Sequence, residues 1–248
     1  MEQHRETVLL IVLLLMFLGV IGAFGYLWYS RTYQPGTAAG RMLTNLVSSL
    51  RRTSPTWTET SDVSIRGLAI PLVPVYTNDK VDVSTQGRWN DAPITIQFKL
   101  AVGTPETGFW GRLNSIGDPG VYYPPMTSVR LTSKQHLAKR AGLIKTSKIE
   151  NDVNSVFAGL GLAGKYRQVS GDLFAYGEEV KNANLFNSDV LALVHAFPRN
   201  LFVHPFDGPV IEGAEISMSW EGHETDPKVL EAAFHLLETI SESGTTSR

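Results

Sequence analysis

The sequence predicts an α+β fold: one N-terminal transmembrane helix, then a soluble mixed domain with an antiparallel sheet in its first half and alternating helices and strands in its second. Three observations predict it. Val8 to Tyr29 is a 22-residue run without a charge, and at about 1.5 Å per residue it matches a hydrocarbon core of roughly 30 Å. Between 56 and 132 lie short segments rich in β-branched residues and broken by Pro71, Pro74, Asn78-Asp79 and Asn90-Asp91, the mark of strands joined by turns. Beyond 132, helical stripes alternate with strand-like stretches.

The divisions follow from composition. Residues 1–7 form an N-terminal tail and 8–29 the transmembrane helix, with Tyr26, Trp28, Tyr29 and then Arg31 at its C-terminal end, where amphipathic rings prefer the headgroup level. A cleaved signal is the competing reading, because Ala23-Phe24-Gly25 offers small residues at the right spacing; a weakly basic start and an over-long apolar run favour a retained anchor. Arg31, Arg41, Arg51 and Arg52 follow the run while only Arg5 precedes it, which places the soluble domain in the cytoplasm.

Residues 30–40, SRTYQPGTAAG, are small and polar around a Pro-Gly pair and read as a linker. The span 41–126 combines an amphipathic helix with a β-rich part. Its helix carries Met42, Leu43, Leu46, Val47 and Leu50 on one stripe. In PITIQFKL, Ile94, Ile96, Phe98 and Leu100 alternate with polar residues, as a strand with one buried face requires.

The span 127–242 is an α+β part packed with the preceding one as a single domain. Ser147 and Ser188 are placed as helix caps, with Val190, Leu193, Val194 and Phe197 on the second helix's stripe. Ala214, Ile216, Met218 and Trp220 line one face of a strand. Asp226 and Pro227 then open a helix whose core face is Val229, Leu230, Ala233, Phe234, Leu237 and Ile240. Residues 243–248 are polar and read as a flexible tail.

Function is less legible. The 248 residues contain no cysteine, which excludes disulfides, thiolate metal sites and a cysteine nucleophile. A net charge of −2 gives no field that would gather nucleic acid. FAGLGLAG spaces Gly159, Gly161 and Gly164 as G-x-G-x-x-G, but dinucleotide binding needs a strand before the glycines and a helix after them. Here a helix precedes and a strand follows, so Gly159 reads as a helix C-cap and no dinucleotide or other cofactor is expected.

Between Glu221 and Asp226, His223 and Glu224 stand in a strand-to-helix loop, and His195 and His204 lie upstream. Together they are the candidate residues for a membrane-tethered hydrolase, the alternative function; no metal is expected, since the H-E-x-x-H spacing fails at Pro227. Arg41, Arg51, Arg52, Lys134, Lys139, Arg140, Lys145 and Lys148 form the basic set that would meet an acidic protein partner or anionic lipid headgroups. The basic segment from Arg130 to Lys148 reads as a solvated helix and loop, docked on the acidic C-terminal region if not on a partner. The leading expectation is a single-pass, membrane-anchored, non-catalytic binding or assembly module.

Overall fold

The computed structural model describes residues 2–66, 82–100, 125–146, 155, 157–158, 165–177, 185–202 and 208–245. It is a mixed α+β fold built on one large antiparallel sheet. The strands are β1 (Trp57–Glu59), β2 (Ser64–Arg66), β3 (Asp82–Trp89), β4 (Ala92–Lys99), β5 (Met126–Thr132), β6 (Ala138–Lys145), β7 (Tyr166–Ser170), β8 (Leu173–Gly177), β9 (Val210–Gly213) and β10 (Glu215–Glu221). Their order is β1-β3-β4-β5-β10-β9-β6-β8-β7, with β2 pairing beside β1 along the same edge of β3. Strands β4 and β5 are neighbours over six residue pairs, so the sheet runs through the junction at 126 without a break.

Helix α1 (Glu2–Thr53) is continuous for 52 residues. The stretch 30–40, expected as a linker, is helical, and so is the proposed amphipathic helix that follows it. The reason lies in packing. Leu43, Leu46, Val47 and Leu50 are fully buried, and so are Ala39 and Gly40 one turn earlier. A Cβ on Gly40 would stand 3.4 Å from the Ile65 Cδ1 and 3.9 Å from a Val83 methyl. The small residues that resemble a linker are thus small because the helix approaches the sheet closely there. Burial at about 1.5–3 kcal/mol per large apolar side chain outweighs the turn preference of one Pro-Gly pair. Among the described residues, no helix is long and apolar enough to cross a membrane.

Hairpin β3–β4 turns at Asn90 and Asp91, with φ of 47° and 66°, the left-handed pair that a two-residue turn between twisted strands demands. Ile94, Ile96 and Phe98 of β4, and Ile216, Met218 and Trp220 of β10, all point to the same buried face. Helix α3 (Pro227–Thr245) packs there with Val229, Leu230, Ala233, Phe234, Leu236, Leu237 and Ile240 buried. Phe234 lies between Trp57, stacked at 5.5 Å, and Trp89 at 5.2 Å. The Asp226 carboxylate accepts from the Lys228 N–H at 2.9 Å and caps the helix.

Helix α2 (Ser188–Ala196) is capped by Asn187, not Ser188: the Asn187 side chain accepts from Asp189 N and Val190 N. The amide also reaches Ser243 at 3.1 Å, which the Ser188 hydroxyl one residue later does not. That contact bears on the tail too. Ser243 is buried, and α3 continues to Thr245, so 243–245 is helix where a flexible tail was expected; 246–248 lie outside the described residues.

Candidate functional site

The residues of FAGLGLAG fall partly within view. Phe157 and Ala158 are helical and β7 starts at Tyr166, so the order is helix then strand; Gly159, Gly161 and Gly164 lie outside the described residues. Phe157 stacks on Tyr166 at 4.2 Å and packs with Ile144 and Tyr176. This aromatic cluster covers the sheet's outer face at β6, β7 and β8. Burial is the first cause that raises the Tyr176 phenol above its ordinary pKa.

The histidines and Glu224 do not share one cluster. His195 sits in the last turn of α2, 3.4 Å from the Ser170 hydroxyl on β7. His223 stacks flat on Phe98 at 4.7 Å, and its Nε2 lies 3.0 Å from the Lys99 carbonyl oxygen on β4. His204 lies outside the described residues. Among the described residues no three His, Asp or Glu side chains gather as metal ligands.

Glu224 has a different role. Its carboxylate is 2% exposed and accepts five hydrogen bonds. Oε2 takes Arg199 Nε at 3.0 Å and Trp220 Nε1 at 3.2 Å; Oε1 takes Arg199 Nη2 at 3.0 Å and the Thr225 and Asp226 N–H groups at 2.9 and 3.0 Å. Its own N–H donates to the Thr127 hydroxyl, which donates to the Gly222 carbonyl at 2.6 Å. Burial pushes this carboxyl upward, but the Arg199 hydrogen bond, the Asp226 and Thr225 N–H groups and the Arg199 charge together hold it below its ordinary value. An anion so fully occupied is a clamp joining the α2–β9 connection, β5, β10 and the start of α3. It is a poor proton acceptor for a substrate.

Arg41, Arg51 and Arg52 lie on α1, whereas the described part of the basic segment from Arg130 lies on β5, β6 and the turn between them, not on a helix and loop. Arg130 on β5 pairs with Glu215 at 3.2 Å; Arg140 on β6 lies 3.9 Å from Glu212, and Lys145 lies 3.8 Å from Asp172. Arg51 pairs with Glu59, and Arg52 donates to the Ser48 carbonyl. Arg41, Lys134 and Lys139 are exposed, and Lys148 lies outside the described residues. Alternation explains the difference: in β6 the basic residues interrupt an apolar run that periodicity alone assigns ambiguously.

The outer face of β3, β4, β5 and β10 holds a polar hollow of about 720 Å³. Ser84, Gln86, Thr95, Gln97 and Ser128 form its floor, with Arg130 and Glu215 toward one end. Each comes from the outward-facing set of its strand, while Val83, Ile94, Ile96 and Val129 face the core. The floor is thus hydroxyl and amide groups spaced by strand geometry, with its Arg130 and Glu215 charges paired to each other.

No family model matches the chain, and no curated protein matches it in sequence. Among solved structures it is similar to the crystal structure of the mycobacterial trehalose monomycolate transport factor A, TtfA, at 9% identity, over 83% of this chain and 93% of that chain, with a TM-score of 0.46. A likeness of that size carries no argument about activity.

Sequence reasoning missed Arg199 and the hollow. Arg199 follows Pro198 in an irregular connection with no periodicity, and only folding brings it to Glu224, 25 positions away. One signal was available: Glu224 stands two residues before a helix cap and four after Trp220, where a carboxylate can reach the first free N–H groups of the turn.

Proposed function

We propose that the chain is a single-pass, membrane-anchored, non-catalytic module that binds a partner through the polar hollow of its sheet. The observation that carries the anchor is exposure: among the described residues, the large apolar side chains of α1 from Val8 to Tyr26 are between 49% and 69% exposed. A contiguous apolar surface of this kind calls for a non-aqueous neighbour. In sequence the uncharged run reaches Tyr29, and its 22 residues suit a bilayer core. The hydrolase alternative loses its central carboxylate to the Arg199 clamp. The anionic-lipid alternative is disfavoured for Arg51 and Arg52: they lie 22 or more residues beyond Tyr29, roughly 33 Å along a helix, several times the ~8 Å screening length at physiological salt.

Full-length protein is expected to remain with membranes after alkaline carbonate washing. Replacing Leu14 and Leu18 by Arg, at about 2.5–3.5 kcal/mol each near a helix centre, is expected to move it to the soluble fraction. Release of the unaltered chain by carbonate would defeat the anchor. The excess of Arg after the run supports a cytoplasmic domain. Because the chain has no cysteine, a Ser247→Cys variant in intact cells is then expected to resist an impermeant thiol reagent, and labelling would reverse that orientation.

A further inference from the structure

We infer that the domain stands upright on the bilayer, with the sheet end carrying Ile65 and Lys99 resting at the lipid headgroups; this rests on the anchoring proposed above. Helix α1 runs unbroken from the apolar segment into the domain. A flexible linker would let the domain tumble, so that no surface would face the membrane more than another. Here the helix that leaves the apolar run is the same helix that enters the core, and among the residues whose burial is described the first buried one is Gly36. Seven residues separate Tyr29 from Gly36, about 10 Å of helix, of which the headgroup layer occupies roughly 5–8 Å. The domain therefore closes around α1 within a few ångströms of the headgroups.

The direction of the sheet follows from its contacts with α1. Gly40, early in the buried part of the helix, meets Ile65 of β2 and Val83 of β3, while Arg51, near its end, meets Glu59 of β1. Strand β3 pairs with β2 over residues 82–84 and with β1 over 87–89. The 82 end of β3 thus points to the apolar segment, and the Asn90-Asp91 turn points away.

Register extends that end across the sheet. Arg66 is opposite Asp82, Asp82 opposite Lys99, Lys99 opposite Met126, and Met126 opposite Glu221. One row of residues therefore shares the membrane-facing level. Lys99 is exposed there, and its side chain is long enough to reach headgroup phosphates.

A second observation points the same way. Among the described residues, the exposed large hydrophobics are those of α1 from Val8 to Tyr26 and, apart from them, Ile65 at 42%. It lies beside Gly40, at the end that faces the bilayer. The row carries Arg66 and Lys99 together with Asp82 and Glu221, so its charges balance. The contact is accordingly with phospholipid headgroups in general, and anionic lipid is not needed to hold it.

The test uses the full chain in nanodiscs of phosphatidylcholine, with single-cysteine variants Leu14→Cys, Lys99→Cys and Arg52→Cys carrying a fluorophore and the acceptor on lipid headgroups. Energy transfer is expected to be severalfold greater from position 99 than from position 52, and unchanged when a third of the lipid is phosphatidylglycerol. A Gly-Ser tract inserted between Gln34 and Pro35 is expected to abolish the difference between 99 and 52. Equal transfer from both positions in the uninterrupted chain overturns the inference, provided the probe at position 14 reports a hydrocarbon surrounding. An aqueous surrounding at position 14 removes the anchor as well, so the two failures are distinct.

Discussion

Glu224→Gln is expected to destabilise the domain by about 2–4 kcal/mol, the range for a buried charged acceptor deprived of its charge, read from urea unfolding followed by tryptophan fluorescence. The amide has no good orientation. With its NH2 at the Oε2 position it faces Arg199 Nε and Trp220 Nε1; flipped, it faces Arg199 Nη2 and the Thr225 and Asp226 N–H groups. Either way a donor meets donors.

The same variant has a pH signature. The carboxyl is held below its ordinary 4.5 in the folded state, so the unfolded chain takes up the proton first as pH falls. Its contribution is complete above about 4.5 and is lost as pH falls through the folded value. The stability difference between the parent and Glu224→Gln is therefore expected to be constant near neutrality and to shrink under acid conditions. A difference that grows on acidification would contradict the clamp.

Gly87→Ala is expected to cost about 1–3 kcal/mol or somewhat more, the range for overpacking a filled core, measured as a fall in the urea midpoint with the slope unchanged. A Cβ at position 87 would stand 2.1 Å from the Trp57 Cη2 and 2.3 Å from its Cζ2. The indole cannot yield, since it is stacked on Phe234 and 4% exposed. Its Nε1 is buried without an acceptor among the described residues, so a shift of the ring toward solvent would not lose a hydrogen bond but would open the stack. Gly171→Ala, in the exposed β7–β8 turn with φ of 50° and nothing within 4 Å, is a useful contrast: it tests backbone strain without a clash.

What could be read from the sequence was whatever rests on repetition. Alternation in β4 and β10 gave the buried faces, and the 3.6-residue stripe gave the core side of α3, because a buried face forces a period on the residues that make it. The α1 error came from composition: Pro, Gly and Ala signal a turn when read locally, while their use against Ile65 and Val83 depends on residues decades away in the chain. The Ser188 cap was off by one residue because Asn and Ser are nearly equal as caps, and only the Ser243 contact separates them. The site was least legible. Arg199 and Glu224 meet through a connection with no pattern, and the hollow exists only because strands distant in sequence lie side by side.

The Trp57–Phe234–Trp89 stack also sets an order on folding. Its two indoles come from the start of the domain and its phenyl from near the end, and the β5–β10 ladder joins residues 126–132 to 215–221. Hairpin β3–β4 closes through a two-residue turn and can form early, as local contacts do. The edge of β5 must wait until most of the chain has been synthesised. A ribosome that has not yet released residue 234 therefore holds a nascent chain whose β5 edge lacks its β10 partner and whose two tryptophans lack the phenyl ring between them.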